Sequence, residues 1–172
     1  MRLDTPGTYA LLLTTLRTVS VDVGSLGAVN LKPGAFVYVG SAFGPGGLAA
    51  RLRRHVQREK ASPHWHIDYL RAALSLEGAW VSTDDQRHEC SWARAVAART
   101  ATQIPLPGAG ASDCSCDSHF LRIADTPAEP TSEDQGREAG LLPDPPLTSA
   151  FDAQASSLSY VNATALRKHL IS

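Results

Sequence analysis

The first forty residues carry three strand-like runs whose links are too short to hold a helix. Residues 8–16 (TYALLLTTL) form an apolar run rich in strand formers, and Val19–Val23 alternates with period two. Gly24-Ser25-Leu26-Gly27 marks one turn, and Lys32-Pro33-Gly34 marks another, since Pro-Gly suits the centre of a type II turn. Phe36–Gly40 is a further strand. Parallel neighbours need a crossover of about a dozen residues or more, so these links predict an antiparallel sheet.

Beyond the sheet the periodicity changes. Residues 41–47 (SAFGPGG) are a loop, and residues 48–60 read as a helix with Leu48, Leu52 and Val56 in one row. Arg51, Arg54, His55 and Arg58 fall on its other side. Ser62-Pro63 interrupts, and His64–Leu74 predicts a second helix. Gly78–Ser82 reads as a strand, with Thr83-Asp84-Asp85 offering N-caps for a helix over residues 86–99. Residues 104–113 are a loop, and Ser118–Ile123 is a last short strand.

A composition shift near residue 125 divides the chain. Residues 1–124 hold 13 Lys and Arg against 10 Asp and Glu, whereas residues 125–172 hold 3 against 7. Five prolines and few aromatics between residues 125 and 157 resemble a disordered linker. The expected organisation is therefore a single domain over residues 1–124 and a Pro-rich acidic tail over 125–172, with Leu158–Leu170 as a weak terminal element. A weakly basic body with an acidic tail is compatible with nucleic-acid binding, though the imbalance is too small to demand it. No apolar stretch approaches the roughly 20 residues needed to span a bilayer. The N-terminus lacks a signal-peptide cleavage pattern, so the expected location is the cytoplasm. Three cysteines cannot all pair with one another, which argues against a secreted disulfide framework.

Some residues can carry chemistry. Arg51 and His55 lie one helical turn apart, after a loop whose glycines let backbone approach a ligand. Arginine offers phosphate a flat, always charged donor fork. The plain alternative is a solvated basic face. Tyr9 and Tyr38, each in an apolar run, turn this helix into half of a plausible kit for attacking a phosphodiester.

GTY at 7–9, YVG at 38–40, RLxxH at 51–55, HWHIDYL at 64–70, HEC at 88–90 and SDCSCDSH at 112–119 stand in that order along the chain. Together they resemble the GIY-YIG nuclease superfamily, and within it an uncharacterised family. The resemblance implies an α/β (α+β) fold with a small antiparallel sheet flanked by helices. It implies that Tyr9 and Tyr38 sit side by side, that Tyr9 helps activate water, and that Arg51 stabilises charge on the phosphate. It further implies a proton-transfer role for His55 and a metal-binding role for Glu89, with Mg²⁺ or Mn²⁺ as cofactor. DNA is the implied partner; neither a membrane nor a small-molecule cofactor is expected. The interval between Tyr9 and Tyr38 is longer than that superfamily shows, and the extra residues are assigned to the Val19–Val23 strand and its turns.

Cys90, Cys114, Cys116 and His119 form a second constellation. Three thiolates and one imidazole are a recognised structural zinc set, and half-buried thiols without metal are the alternative. His64, His66 and Asp68 read as structural support for the site. The leading expectation is a metal-dependent endonuclease acting in DNA repair or processing. The alternative is a non-catalytic nucleic-acid-binding module on the same fold, with Arg51, Arg54 and Arg58 contacting phosphates. A third is a protein-interaction domain that docks through its acidic tail.

Overall fold

A computed structural model describes residues 2–58, 60–99, 102–123 and 145–171. Its centre is a six-stranded, wholly antiparallel sheet. The strands are β1 (Thr8–Thr15), β4 (Gly34–Ser41), β5 (Ser75–Ser82), β6 (Thr102–Gln103), β7 (Phe120–Ile123) and β8 (Ser159–Asn162), in the order β6-β7-β4-β1-β5-β8. Strands β2 (Val19–Asp22) and β3 (Ala28–Leu31) pair separately as a hairpin. This hairpin accounts for the long interval between Tyr9 and Tyr38. The sequence signals only its first strand, because β3 carries no strong alternation.

Every residue of β1 is buried. Successive side chains point to opposite faces of a strand, so β1 is covered on both sides. Tyr9, Leu11 and Leu13 join a core with helices α1 (Gly47–Val56), α2 (His66–Ala73) and α5 (Ala163–Ile171). Ala10 and Leu12 join a second core with α3 (Glu89–Ala97) and α4 (Pro145–Asp152), built around Trp80, Trp92 and Phe151. Phe151 lies 4.6 Å from Trp92 and 5.3 Å from Trp80, ring centre to ring centre. Such aromatic pairs add about 0.5–1.5 kcal/mol each beyond their buried area.

Local chemistry moves several helix boundaries. Helix α1 starts against the chain's own N-terminus: Leu48 N–H donates to the Thr5 carbonyl at 3.0 Å, and Ala49 N–H donates to Leu3. These bonds satisfy first-turn donors that no side chain caps, and they fix α1 beside the start of β1. Helix α3 begins at Glu89, not at residue 86. Asp84, expected as an N-cap, instead accepts from His88, from Ser156 N–H and from Ser157, which ties the C-terminal segment to the end of β5.

The C-terminal region corrects the expected boundary at residue 124. Residues 145–171 belong to the folded body, because β8 pairs with β5 and Leu147, Phe151, Leu166 and Leu170 are buried. These four are diluted among prolines, serines and acids, so an average over composition hides them. The remainder of the expected linker, residues 125–144, lies outside the described residues. Among the described residues, no helix is long and apolar enough to cross a membrane.

Candidate active site and metal cluster

Strand register decides how the two tyrosines meet. Leu11 pairs with Tyr38 and Tyr9 pairs with Gly40, so Tyr9 and Tyr38 are diagonal neighbours on one face. The Tyr9 ring lies across β4 at Gly40. A Cβ at Gly40 would stand 2.5 Å from the Tyr9 hydroxyl, closer than real contacts allow. The glycine of YVG is therefore space for the tyrosine of GTY. Gly110, at φ +74°, does the same for Tyr38, whose hydroxyl would lie 2.8 Å from a Cβ there.

His55 does not stand with Arg51 on a solvated helix face. It falls in the buried stripe with Leu48, Leu52 and Val56, three residues after Leu52, and is fully buried. Its Nε2 lies 2.8 Å from the Tyr9 hydroxyl. Burial, and then the charge of Lys60, hold its pKa down to about 3, so the ring is neutral. Burial likewise pushes Tyr9 well above the ordinary tyrosine range, with Tyr38 adding to it and Arg51 opposing. Arg71 fixes this arrangement from behind. It is buried, and its Nε donates to the His55 carbonyl at 2.8 Å while Nη1 donates to Leu74.

The arginines part company. The Arg51 guanidinium carbon lies over the Trp65 ring, 4.0 Å from its centre, and no carboxylate pairs with it among the described residues. Arg54 also contacts Trp65, but its charge is committed to the buried Asp68, which Lys60 pairs as well. Asp68 further accepts the N–H groups of His64 and Trp65 at 3.0 and 3.2 Å. Burial opposes its ionisation, yet these donors together hold Asp68 below the usual carboxylate range. Arg58 lies beyond the end of α1, and its Nε donates to the Ala72 carbonyl. Of the expected basic face, Arg54 is thus committed to Asp68, while Arg51 and the exposed Arg58 have no paired carboxylate among the described residues.

Tyr9, Tyr38, Arg51 and Glu89 line one cleft of about 450 Å³, together with Trp65, His66 and Asp113. His66 accepts the Gly110 N–H at its Nδ1, 3.2 Å away, which holds the 108–112 loop over Tyr38. Glu89 enters as the first residue of α3. Burial disfavours its charge, but donors on His119 and Ser41 outweigh it, and its pKa lies below the ordinary glutamate range.

Behind Glu89, Cys90, Cys114, Cys116 and His119 converge. Their ligand atoms all lie within 4.8 Å of one another, an arrangement that could hold a metal ion. The His119 ring is fully buried, with Nε2 at 3.4 Å from the Cys114 sulfur and 3.9 Å from that of Cys90. Burial, and then the neighbouring thiols, push the Cys90 thiol up to about 12.

Sequence reasoning assembled the tyrosines, Arg51, Glu89 and the cysteine cluster but missed Arg71 and the Trp65 platform. A lone arginine between apolar residues carries no signal of burial, and a tryptophan between two histidines reads as core. No curated protein and no solved structure matches the chain. Residues 8–139, from the first strand past the metal cluster, match the family described as Domain of unknown function DUF123, and the chain belongs to that family.

Proposed function

We propose that this protein is a metal-dependent endonuclease of the GIY-YIG type that hydrolyses DNA phosphodiester bonds, in repair or processing. The observation that carries this reading is the convergence of Tyr9, Tyr38, Arg51 and Glu89 on one open cleft. A phosphodiester seated there meets the Arg51 guanidinium, which lies over the Trp65 ring and which no carboxylate neutralises among the described residues. Arg51 stabilises the charge that grows on the phosphate oxygens as water attacks.

Tyr9 serves as a relay. A free tyrosinate is expensive in this burial, so the water proton passes to the Tyr9 oxygen as the Tyr9 proton passes to His55 Nε2, 2.8 Å away. Hydroxide attacks phosphorus, Tyr9 ends neutral and His55 ends protonated. Arg51 is one of the charges that depress His55, and an anionic phosphate on Arg51 offsets that influence at the moment of transfer. Among the described residues His55 Nδ1 has no hydrogen-bond partner, so no group there selects between the two ring tautomers.

Glu89 fits a hard divalent cation: it is an ionised oxygen donor in the cleft wall, with Asp113 in the same lining. Mg²⁺ or Mn²⁺ bound there supplies neutralisation of phosphate and leaving-group charge. In the same reading, Cys90, Cys114, Cys116 and His119 hold zinc, whose preference for thiolate and imidazole matches the donor set.

The test is incubation with branched, nicked, single-stranded and duplex DNA plus Mg²⁺ or Mn²⁺. Arg51→Ala should cut the cleavage rate by about 10²–10³-fold. Equal behaviour of wild type and Arg51→Ala on every substrate overturns the nuclease reading. Binding that survives EDTA and Glu89→Ala, without cleavage, makes the protein a non-catalytic nucleic-acid-binding module instead.

A further inference from the structure

His119 stands between two sites that the sequence presents as separate. One ring nitrogen, Nε2, faces the sulfurs of Cys114 and Cys90 at 3.4 and 3.9 Å. The other, Nδ1, lies 3.4 Å from Glu89 Oε1 and has no well-aligned hydrogen-bond partner among the described residues. Glu89 and Cys90 are consecutive residues at the start of α3, so one belongs to the cleft and the next to the cluster. The loop bearing Cys114 and Cys116 reaches them because β7 follows it directly and pairs with β4 beside Tyr38.

Zinc–sulfur bonds of about 2.3 Å and zinc–nitrogen bonds of about 2.0 Å give tetrahedral edges of roughly 3.5–3.8 Å. The sulfur–nitrogen distances here already fall near that range. A metal that takes the Nε2 lone pair leaves the ring proton on Nδ1, and Glu89 Oε1 is the acceptor facing it.

We infer that this cluster is a metal site whose ligand His119 donates its second N–H to Glu89, a metal–histidine–carboxylate relay that orients the carboxylate of the cleft. Metal occupancy then does more than staple a loop to α3. It fixes the His119 tautomer, and through it the rotamer of Glu89, leaving the other carboxylate oxygen for the cleft. An empty cluster lets the imidazole place its proton on either nitrogen and loosens Glu89. The consequence for cleavage rests on the nuclease reading; the site and the relay do not.

The experiment uses the full chain, reduced and stripped with chelator, titrated with Co²⁺ and then Zn²⁺. One Co²⁺ per chain should bind, with thiolate-to-metal charge-transfer absorption and intense tetrahedral d–d bands that Zn²⁺ abolishes. Glu89→Ala should weaken metal affinity by about 10–100-fold, and Glu89→Gln, whose amide oxygen still accepts, should recover most of it. No stoichiometric metal on the wild type overturns the site. Equal affinity of Glu89→Ala and wild type overturns the relay. Should Glu89→Ala not fold, ¹⁵N-histidine NMR of the unaltered chain decides. Zinc must shift Nε2 of His119 as a ligand and yield an exchange-protected Nδ1–H, whereas coordination through Nδ1, or no change, overturns the inference. None of these measurements reads cleavage, so failure of the Arg51→Ala test leaves them standing.

Discussion

The two faces of β1 belong to the same eight residues and do different work. On one face Tyr9 stands beside Leu11 and Leu13, and the layer ends in a polar cleft lined by Arg51 and Glu89, with the buried His55 behind Tyr9. On the other face Ala10 and Leu12 meet Trp80, Trp92 and Phe151 in an apolar layer. The contrast teaches that the candidate site lies on one face of a strand whose other face is packed against an apolar layer. Register on β1 can be held by the aromatic face, which frees the tyrosine face to tolerate buried polar groups that contribute little stability.

Phe151→Ala should separate the faces most sharply. Deleting this buried ring costs about 3–5 kcal/mol, read as a lower midpoint in urea unfolding. The activity of the molecules that remain folded should change little. Arg51→Ala should do the reverse: its cleavage loss corresponds to about 3–4 kcal/mol of barrier, while the lost contact with Trp65 costs only about 0.5–1 kcal/mol of stability. Should both substitutions move stability equally, the division of labour is wrong.

A subtler break is Gly40→Ala. The added methyl collides with the Tyr9 hydroxyl, and overpacking of this kind costs about 1–3 kcal/mol. Cleavage should fall although Gly40 has no chemistry of its own, because Tyr9 is pushed off His55. The ring displacement is visible by crystallography of the variant.

The smallest effect concerns pH. The folded pKa of His55 is held at about 3 by burial and then by Lys60, below the ordinary histidine value of 6.5. A depressed folded value means the stability is full above pH 6.5 and drains away as pH falls toward 3, since the unfolded chain takes up a proton that the substrate-free native state refuses. Between pH 6.5 and 5.5 the loss is about 1 kcal/mol. His55→Gln keeps a hydrogen-bonding partner for Tyr9 and should flatten this part of the profile. An unchanged slope in urea unfolding across that interval places the acid sensitivity elsewhere.

The legible parts of the sequence share a cause. Apolar runs with short links announced the antiparallel centre, and GTY, YVG and HEC carried the residues that converge on the cleft. Parts that escaped notice depend on neighbours distant in the chain. Arg54 looked like Arg51, yet Asp68 claims it. His55 looked solvated, because a helix row predicts which residues align but not how wide the buried stripe is. The C-terminal segment looked like a tail because Phe151 and Leu166 find partners only on a sheet formed by residues far upstream. Truncation at residue 124 therefore removes an edge strand and two helices, and cannot isolate the role of an acidic tail.

By itself the sequence determined the fold class, most of the strands and the candidate residues that line the cleft, since period, turn chemistry and residue type are local properties. Only the tertiary structure decided which cations stay available, that His55 stands behind Tyr9, and that His119 joins the cysteine cluster to Glu89. Those outcomes are set by burial and by distances across the sheet, and both arise only when residues far apart in the chain are brought together.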